Sequence, residues 1–379
     1  MTSPAIWPSY ATSLVRSVRR GLRGPRRFPG DARAICRAVI DACWEGTHFN
    51  ASAGQFRQFW TRDLGFSATA LVRLGHGDRV VSSLDWALGA WSVRGRVTTT
   101  IFPGRRPADV YEFGIDSLPW LFHALRAADA AEAERLLSRH GTWLGREVGR
   151  YRDAVLDPVT RLARDDRPFS THRDTVRGGS NCYANTMIAL LDAILRETDW
   201  FPSPMPPNAP DRLIDAFWRG DHFSDRADAD EITGDANTWP FWTRVVPDSL
   251  GLAEALRTME HAGLADPLPL RYAARRDRRG EDPVQRLFVP DYQGTSIWTS
   301  LGSLYLALLR RVDPPGALAP LAEYTRLVER EGTFWEVLTA PFDPEDGAPV
   351  RPYRGRLGLF NADEAMLWSA LFLDLLETG

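Results

Sequence analysis

Residues 58–71 read QFWTRDLGFSATAL. The stretch opens polar and aromatic and continues as an apolar helix, with Arg62-Asp63 at the helix start. A guanidinium fork beside a carboxylate offers a donor and an acceptor to two neighbouring hydroxyls. The same composition also suits a capped helix with a local ion pair. Outward from this point the arrangement recurs. Apolar residues at i, i+3, i+4 and i+7 predict helices near 9–22, 31–46, 62–75, 78–93, 116–129, 130–149, 181–197, 209–219, 248–263, 295–311, 317–331 and 362–377. Asp248-Ser249 supplies a cap for one of them. Strand-like alternation is scarce, with Arg96 to Phe102 the best candidate, and the Pro-rich stretch Phe201 to Pro210 reads as an interhelical loop.

About twelve helices in pairs suit either a repeat solenoid or a closed toroid of six hairpins. A solenoid shows a fixed period of about 30 to 50 residues, and none is visible. The loops are instead unequal and carry the unusual residues, as expected of a site at one end of a closed helical barrel. The expected fold is therefore all-α, an (α/α)6 toroid with long site-bearing loops. Residues 1–30 form an N-terminal arm and first helix, and residues 31–379 a single barrel domain.

Composition removes other classes. Net charge is -3, and all 46 cations are arginine, which argues against a protein that coats nucleic acid. The three cysteines, 36, 43 and 182, include no CxxC, so neither a disulfide framework nor a Cys-rich zinc site is supported. No P-loop, dinucleotide fingerprint or nucleophile elbow is present, and no metal or cofactor is expected. The longest nearly apolar stretch, Ala365 to Leu376, is too short to span a bilayer. The N-terminal stretch has no apolar secretory core, which makes the cytoplasm the expected compartment. Its arginines, Arg16 to Arg27, read as a solvated helix and tail. The 14 tryptophans exceed ordinary packing needs and suit a groove that stacks on sugar rings.

Four islands concentrate the chemistry. The first is Gln58 to Gly65. The second runs Val110 to Trp120, where Asp116 precedes an apolar helix. N-capping is its default role; burial among Ile115, Leu118 and Trp120 would raise its pKa, as a general acid requires. Glu112 is the fallback. The third comprises Arg177 to Asn185, Gly234 to Trp242 and Asp291 to Trp298, whose amides and turns read hydroxyls or shape loop tips. The fourth, Gly332 to Leu338, holds Glu336 between bulky apolar residues. Asp343, Glu345, Asp346 and Gly347 are turn composition, and Asp363-Glu364 read as caps of the last helix. Asp225, Asp228, Asp230, Glu231 and Asp235 read as a solvated acidic loop without a calcium-loop pattern.

At these islands the sequence resembles the six-hairpin glycosidases, closest to the alkaline and neutral invertase type and more distantly to the mannosylglycerate hydrolase and trehalase type. FWTRDLGFSATAL at 59–71, IDSLPWLFHAL at 115–125, YQGTSIWTSL at 292–301 and Trp335-Glu336, followed by Asp346-Gly347 and LWSALFL at 367–373, keep the order of the family's blocks. The resemblance implies an (α/α)6 barrel that inverts the anomeric centre, with Asp116 as general acid and Glu336 as general base. It implies a small α-glucoside or related α-glycoside as substrate; read from the islands, the residues expected to hold it are Trp60, Arg62, Asp63, Asn181, Tyr183, Asn237, Trp239, Tyr292, Gln293, Trp298 and Trp335. Two departures, Leu118-Pro119 and the missing proline before Glu336, lie beside the loops that select the aglycone. The competing expectations are a carbohydrate-binding protein without catalysis, a sugar epimerase using His123 or His172, and a helical scaffold for protein partners.

Overall fold

The computed structural model describes residues 15–16, 24–110, 112–173, 179–276, 287–339, 350–356 and 361–378. Twelve α-helices fall among them: α1 Ala32–Cys43, α2 Thr61–Arg73, α3 Gly77–Arg94, α4 Ser117–Ala127, α5 Ala130–Val155, α6 Cys182–Thr198, α7 Ala209–Phe217, α8 Gly234–Trp242, α9 Leu252–His261, α10 Thr299–Val312, α11 Pro314–Glu331 and α12 Ser369–Glu377. The even-numbered helices pack side by side in the cycle α2, α4, α6, α8, α10, α12 and back to α2. The odd-numbered helices lie outside, as where α1 packs on α12, α3 on α2, α7 on α6 and α11 on α10. This is the expected (α/α)6 toroid.

Side-chain pattern assigns each helix to its ring. An outer helix needs one apolar stripe, because its other face meets water. In α1 the buried set is Ala32, Ile35, Cys36, Val39, Ile40 and Cys43, and Asp31 caps the helix by accepting from the Ala34 N–H at 2.8 Å. An inner helix is enclosed on all sides. In α4 every residue from Ser117 to Leu125 is buried. Close approach of α2 to α4 depends on Gly65, where a Cβ would collide with Trp120.

The longest outer helix, α5, begins at Asp129, whose side chain accepts from the Ala131 N–H at 3.0 Å. Replacing it, Asp129→Ala, should cost about 1 kcal/mol, measurable as a lower urea midpoint at unchanged slope.

The inner helices start at one end of the ring. Arg62 of α2 and Tyr183 of α6 both bond to Asp116 ahead of α4, and the Trp368 indole N–H ahead of α12 donates to the Thr299 hydroxyl of α10 at 2.9 Å. Two three-stranded antiparallel sheets lie beside these starts. One is β1 Phe59–Trp60, β2 Thr100–Phe102 and β3 Arg106–Ala108, in that order; the other is β4 Ile297–Trp298, β5 Val337–Thr339 and β6 Arg351–Pro352. Strand β2 lies within the alternation at Arg96 to Phe102. The N-terminal segment docks through the Phe28 N–H, which donates to the Gly332 carbonyl at 2.7 Å.

Some boundaries differ from expectation. Helix α8 lies where a loop was expected. The helix expected at 248–263 divides into a 3-10 turn, Asp248–Leu250, and α9, separated by Gly251 at φ 145°. The last helix starts at Ser369, so Asp363-Glu364 do not cap it. The expected helix 9–22 lies outside the described residues save Val15 and Arg16. No helix among the described residues is long and apolar enough to cross a membrane.

Candidate active site

Asp116 is fully buried ahead of α4. Its Oδ2 accepts the Tyr183 hydroxyl at 2.8 Å and faces Arg62 Nε at 3.0 Å. The Tyr183 hydroxyl in turn accepts from the Trp120 indole N–H at 3.1 Å, and Arg62 also donates to the Thr171 carbonyl. Asp116 bears no cap bond to its own helix. The capping reading therefore gives way to a buried ionic one. The expected burial among Ile115, Leu118 and Trp120 is met, and a guanidinium and a hydroxyl face the carboxyl as well.

The second carboxyl is Glu336, buried just ahead of β5. Its Oε2 accepts the Asp363 N–H at 2.9 Å, and its own N–H donates to the Asp363 carbonyl at 2.9 Å. Burial raises its pKa from 4.5 to about 8; the charges of Asp363 and Asp63 add to this, while hydrogen bonds from Tyr292 and the Asp363 amide oppose it. Between about 4.5 and 8 the folded chain keeps a proton that the unfolded chain has lost. Stability from this group is complete below the lower value and falls as pH rises through the window, at up to ~1.4 kcal/mol per unit. Denaturant melts across this range should show that slope, and Glu336→Gln should flatten it.

Arg62-Asp63 thus stands between the two carboxyls. The Arg62 side chain pairs with Asp116, and the Asp63 carboxylate is felt by Glu336. The starts of six inner helices supply partial positive charge to this end of the ring, which suits a concentration of carboxylates.

Below them lies an aromatic floor centred on Trp239 and His172. Trp239 packs against Phe66, Trp120, Tyr183 and Trp242 at centroid distances of 5.2–5.9 Å. His172 meets Trp239 at 5.3 Å and Trp298 at 5.8 Å. The ring of His172 bonds the Tyr272 hydroxyl, and its carbonyl accepts from Gln293 Nε2 at 3.0 Å. Burial, reinforced by Arg62 and Arg173, pushes its pKa well below the ordinary value, so the imidazole is neutral. Nearby, Arg173 lies 3.4 Å from Asp225 and over the Tyr272 ring. Burial raises Asp235 to about 6 against the pull of Arg173, with Asp225 adding to the rise.

The structure thus gathers Arg62, Asp116 and Tyr183 in one cluster and Asp63, Tyr292 and Glu336 in another. Trp239, Gln293 and Trp298 surround His172, and Trp60 is half-buried at the start of α2. Three expected binding residues also bond within the scaffold. Asn181 caps α6 by accepting from the Ala184 N–H at 2.8 Å. Asn237 is fully buried, with its amide committed to Phe223 and the Thr233 carbonyl. The Trp335 indole N–H reaches back 3.4 Å to Glu331 on α11. The acidic run is only partly solvated: Asp228 and Asp230 are exposed, whereas Asp225 and Asp235 are drawn in by Arg173. His172, read only as a histidine of the epimerase alternative, lies at the centre of this cluster, and Arg173, Tyr272 and Asp363 join it without having been read as site residues. Tyr111, Arg177, Gly178 and the turn holding Asp343, Glu345, Asp346 and Gly347 lie outside the described residues.

No protein-family model and no curated protein matches the sequence. Solved structures do match. A glycosidase variant in complex with glucose superimposes with a TM-score of 0.60 at 18% identity, over 91% of this chain and 95% of that one. A rhamnosidase from Klebsiella oxytoca with rhamnose bound gives 0.59 at 17%, over 93% of this chain and 65% of that one. The GH63 mannosylglycerate hydrolase from Thermus thermophilus, in complex with Tris and D-glycerate, gives 0.56 at 14%, over 91% and 100%. The chain shares the (α/α)6 toroid with these glycosidases.

Proposed function

We propose that the protein is an inverting glycoside hydrolase acting on a small α-glucoside or related α-glycoside. The observation that carries this reading is the pair of buried carboxyls, Asp116 and Glu336, flanking Arg62-Asp63 at the end of the ring where the inner helices begin. The glycosidase toroids and the four sequence blocks of invertase type support it. In this reading Asp116 protonates the leaving oxygen, and Glu336 takes a proton from the water that attacks the opposite face. The glycosidic C–O bond breaks, the new C–O bond forms with inverted configuration, and the two protons balance. Inversion requires room for that water, with the carboxyls about 6.5–9.5 Å apart. Arg62 and Asp63 hold the sugar hydroxyls, and Trp60 and Trp298 flank the ring.

One observation favours a second reading with the roles exchanged. Burial holds the proton on Glu336, whereas Arg62 favours charge on Asp116. Glycosyl fluorides separate the two, because fluoride leaves without an acid. With Asp116 as acid, Asp116→Asn loses turnover of an α-glycoside but keeps most of it on the α-glycosyl fluoride, and Glu336→Gln loses both. Exchanged roles give the reverse. If both variants keep full activity on both substrates, the pair is wrong.

The reactive form holds one proton between the two carboxyls in either reading. With the roles exchanged, Glu336 is the acid, and kcat/KM should then fall as pH rises above about 8. A pH–rate profile on any accepted glycoside checks this.

A further inference from the structure

Asp363 stands outside the carboxyl pair, yet its carboxylate accepts four hydrogen bonds beside Glu336. It is fully buried. Its Oδ1 accepts the Gln55 N–H at 2.8 Å and the Glu364 N–H at 2.9 Å. Its Oδ2 accepts the Phe56 N–H at 2.9 Å and the Ser52 hydroxyl. These donors fill the acceptor positions of both oxygens and tie the 52–56 loop to the segment before α12. The loop comes close enough that a Cβ on Gly54 would strike the carboxylate. The same residue exchanges two bonds of 2.9 Å with Glu336, one of them from its N–H to the Glu336 side chain.

We infer that Asp363 is a positioning residue for Glu336: the loop 52–56 cradle fixes its charge in place, its amide orients the Glu336 carboxyl, and its charge sets that carboxyl's proton affinity. The inference rests on Glu336 carrying half of the proposed chemistry. Other charged or titratable groups share this field. Asp63 in the first turn of α2 and Tyr292 from the loop before β4 face Glu336. Arg16 of the N-terminal segment and the Cys43 thiol of α1 lie within the field of Asp363. Of the two negative charges on Glu336, Asp363 acts more strongly than Asp63.

The test is Asp363→Asn in the full chain. The amide keeps the shape and removes the charge. The titration of Glu336 is followed directly by carbon NMR of carboxyl-labelled glutamate, with Glu336→Gln to assign the resonance. The expected result is a midpoint lower by about one unit, the ordinary scale of a neighbour-induced shift. The limb of kcat/KM that Glu336 sets should move down by the same amount. An unmoved midpoint in a variant with wild-type circular dichroism overturns the inference. If Asp363→Asn does not fold, Ser52→Ala decides. Removing the hydroxyl leaves the Asp363 charge less neutralised, so the Glu336 midpoint rises; no movement overturns the inference. The two ideas fail separately. Wild-type turnover in Glu336→Gln refutes the catalytic reading and leaves the midpoint shift standing, whereas an unmoved midpoint leaves that reading intact.

Discussion

Glu336→Gln should lower kcat by a factor of about 10² to 10⁴ while the protein stays folded, the range removed with a positioned proton-transfer group. The reason lies in what the substitution keeps. A glutamine side chain has nearly the same volume for the same buried slot, and its carbonyl oxygen would still accept the Asp363 N–H. What is lost is the titratable carboxyl group and one acceptor oxygen. KM should change little, because sugar contacts are assigned to Arg62, Asp63 and the aromatic side chains. Above neutral pH the variant should be at least as stable as wild type, since it no longer buries a carboxyl under pressure to ionise. Steady-state kinetics beside a denaturant melt reads both. Unchanged kcat removes Glu336 from the mechanism, and a collapsed melt would show a structural carboxyl instead.

Arg62→Met should be the most damaging single change to stability in the site. Asp116 has no exposure to water, and Arg62 Nε lies 3.0 Å from its Oδ2. The pair itself contributes little net stability, because both groups lost their hydration on burial. Breaking it is different: an uncompensated buried charge costs about 3–5 kcal/mol, a large part of a domain's total stability. Methionine keeps the stem and isolates the charge effect. The double variant Arg62→Met with Asp116→Asn should recover part of the loss, because the orphaned charge is gone. A loss under about 1 kcal/mol for the single variant would mean that Asp116 finds water or takes up a proton when Arg62 leaves.

The outer helices were legible because each meets water on one side. In α1 and α5 the apolar residues recur at helical spacing, and Asp31 and Asp129 mark their starts. Inner helices carry a weaker signal. Helix α8, GDANTWPFW, is buried over eight consecutive residues, so it has no stripe, and Gly234, Asn237 and Pro240 read as loop. Only closure of the ring makes it a helix. The site divides along similar lines. Arg62, Asp63, Asp116 and Glu336 stood out as charges beside apolar residues at element starts. Their partners did not. Asp363 sits near a helix in a composition that suits a cap, and its role depends on the 52–56 loop, more than 300 positions away. His172 and Arg173 lie on a loop without periodicity, and long-range packing alone brings them under Trp239 and beside Asp225. Asn181 and Asn237 show the converse: residues chosen for their hydrogen-bonding capacity use it to build the scaffold.

The central claim is inversion at an α-glycoside, and the configuration of the first product tests it most directly. The wild-type protein is incubated with sucrose, trehalose, glucosylglycerate, mannosylglycerate, maltose and isomaltose, and fresh sugar is followed by proton NMR before it mutarotates. The account predicts that one of these releases the β-anomer first, and that Glu336→Gln releases none at a comparable rate. First appearance of the α-anomer would contradict it, because retention requires a covalent intermediate and a closer carboxyl pair.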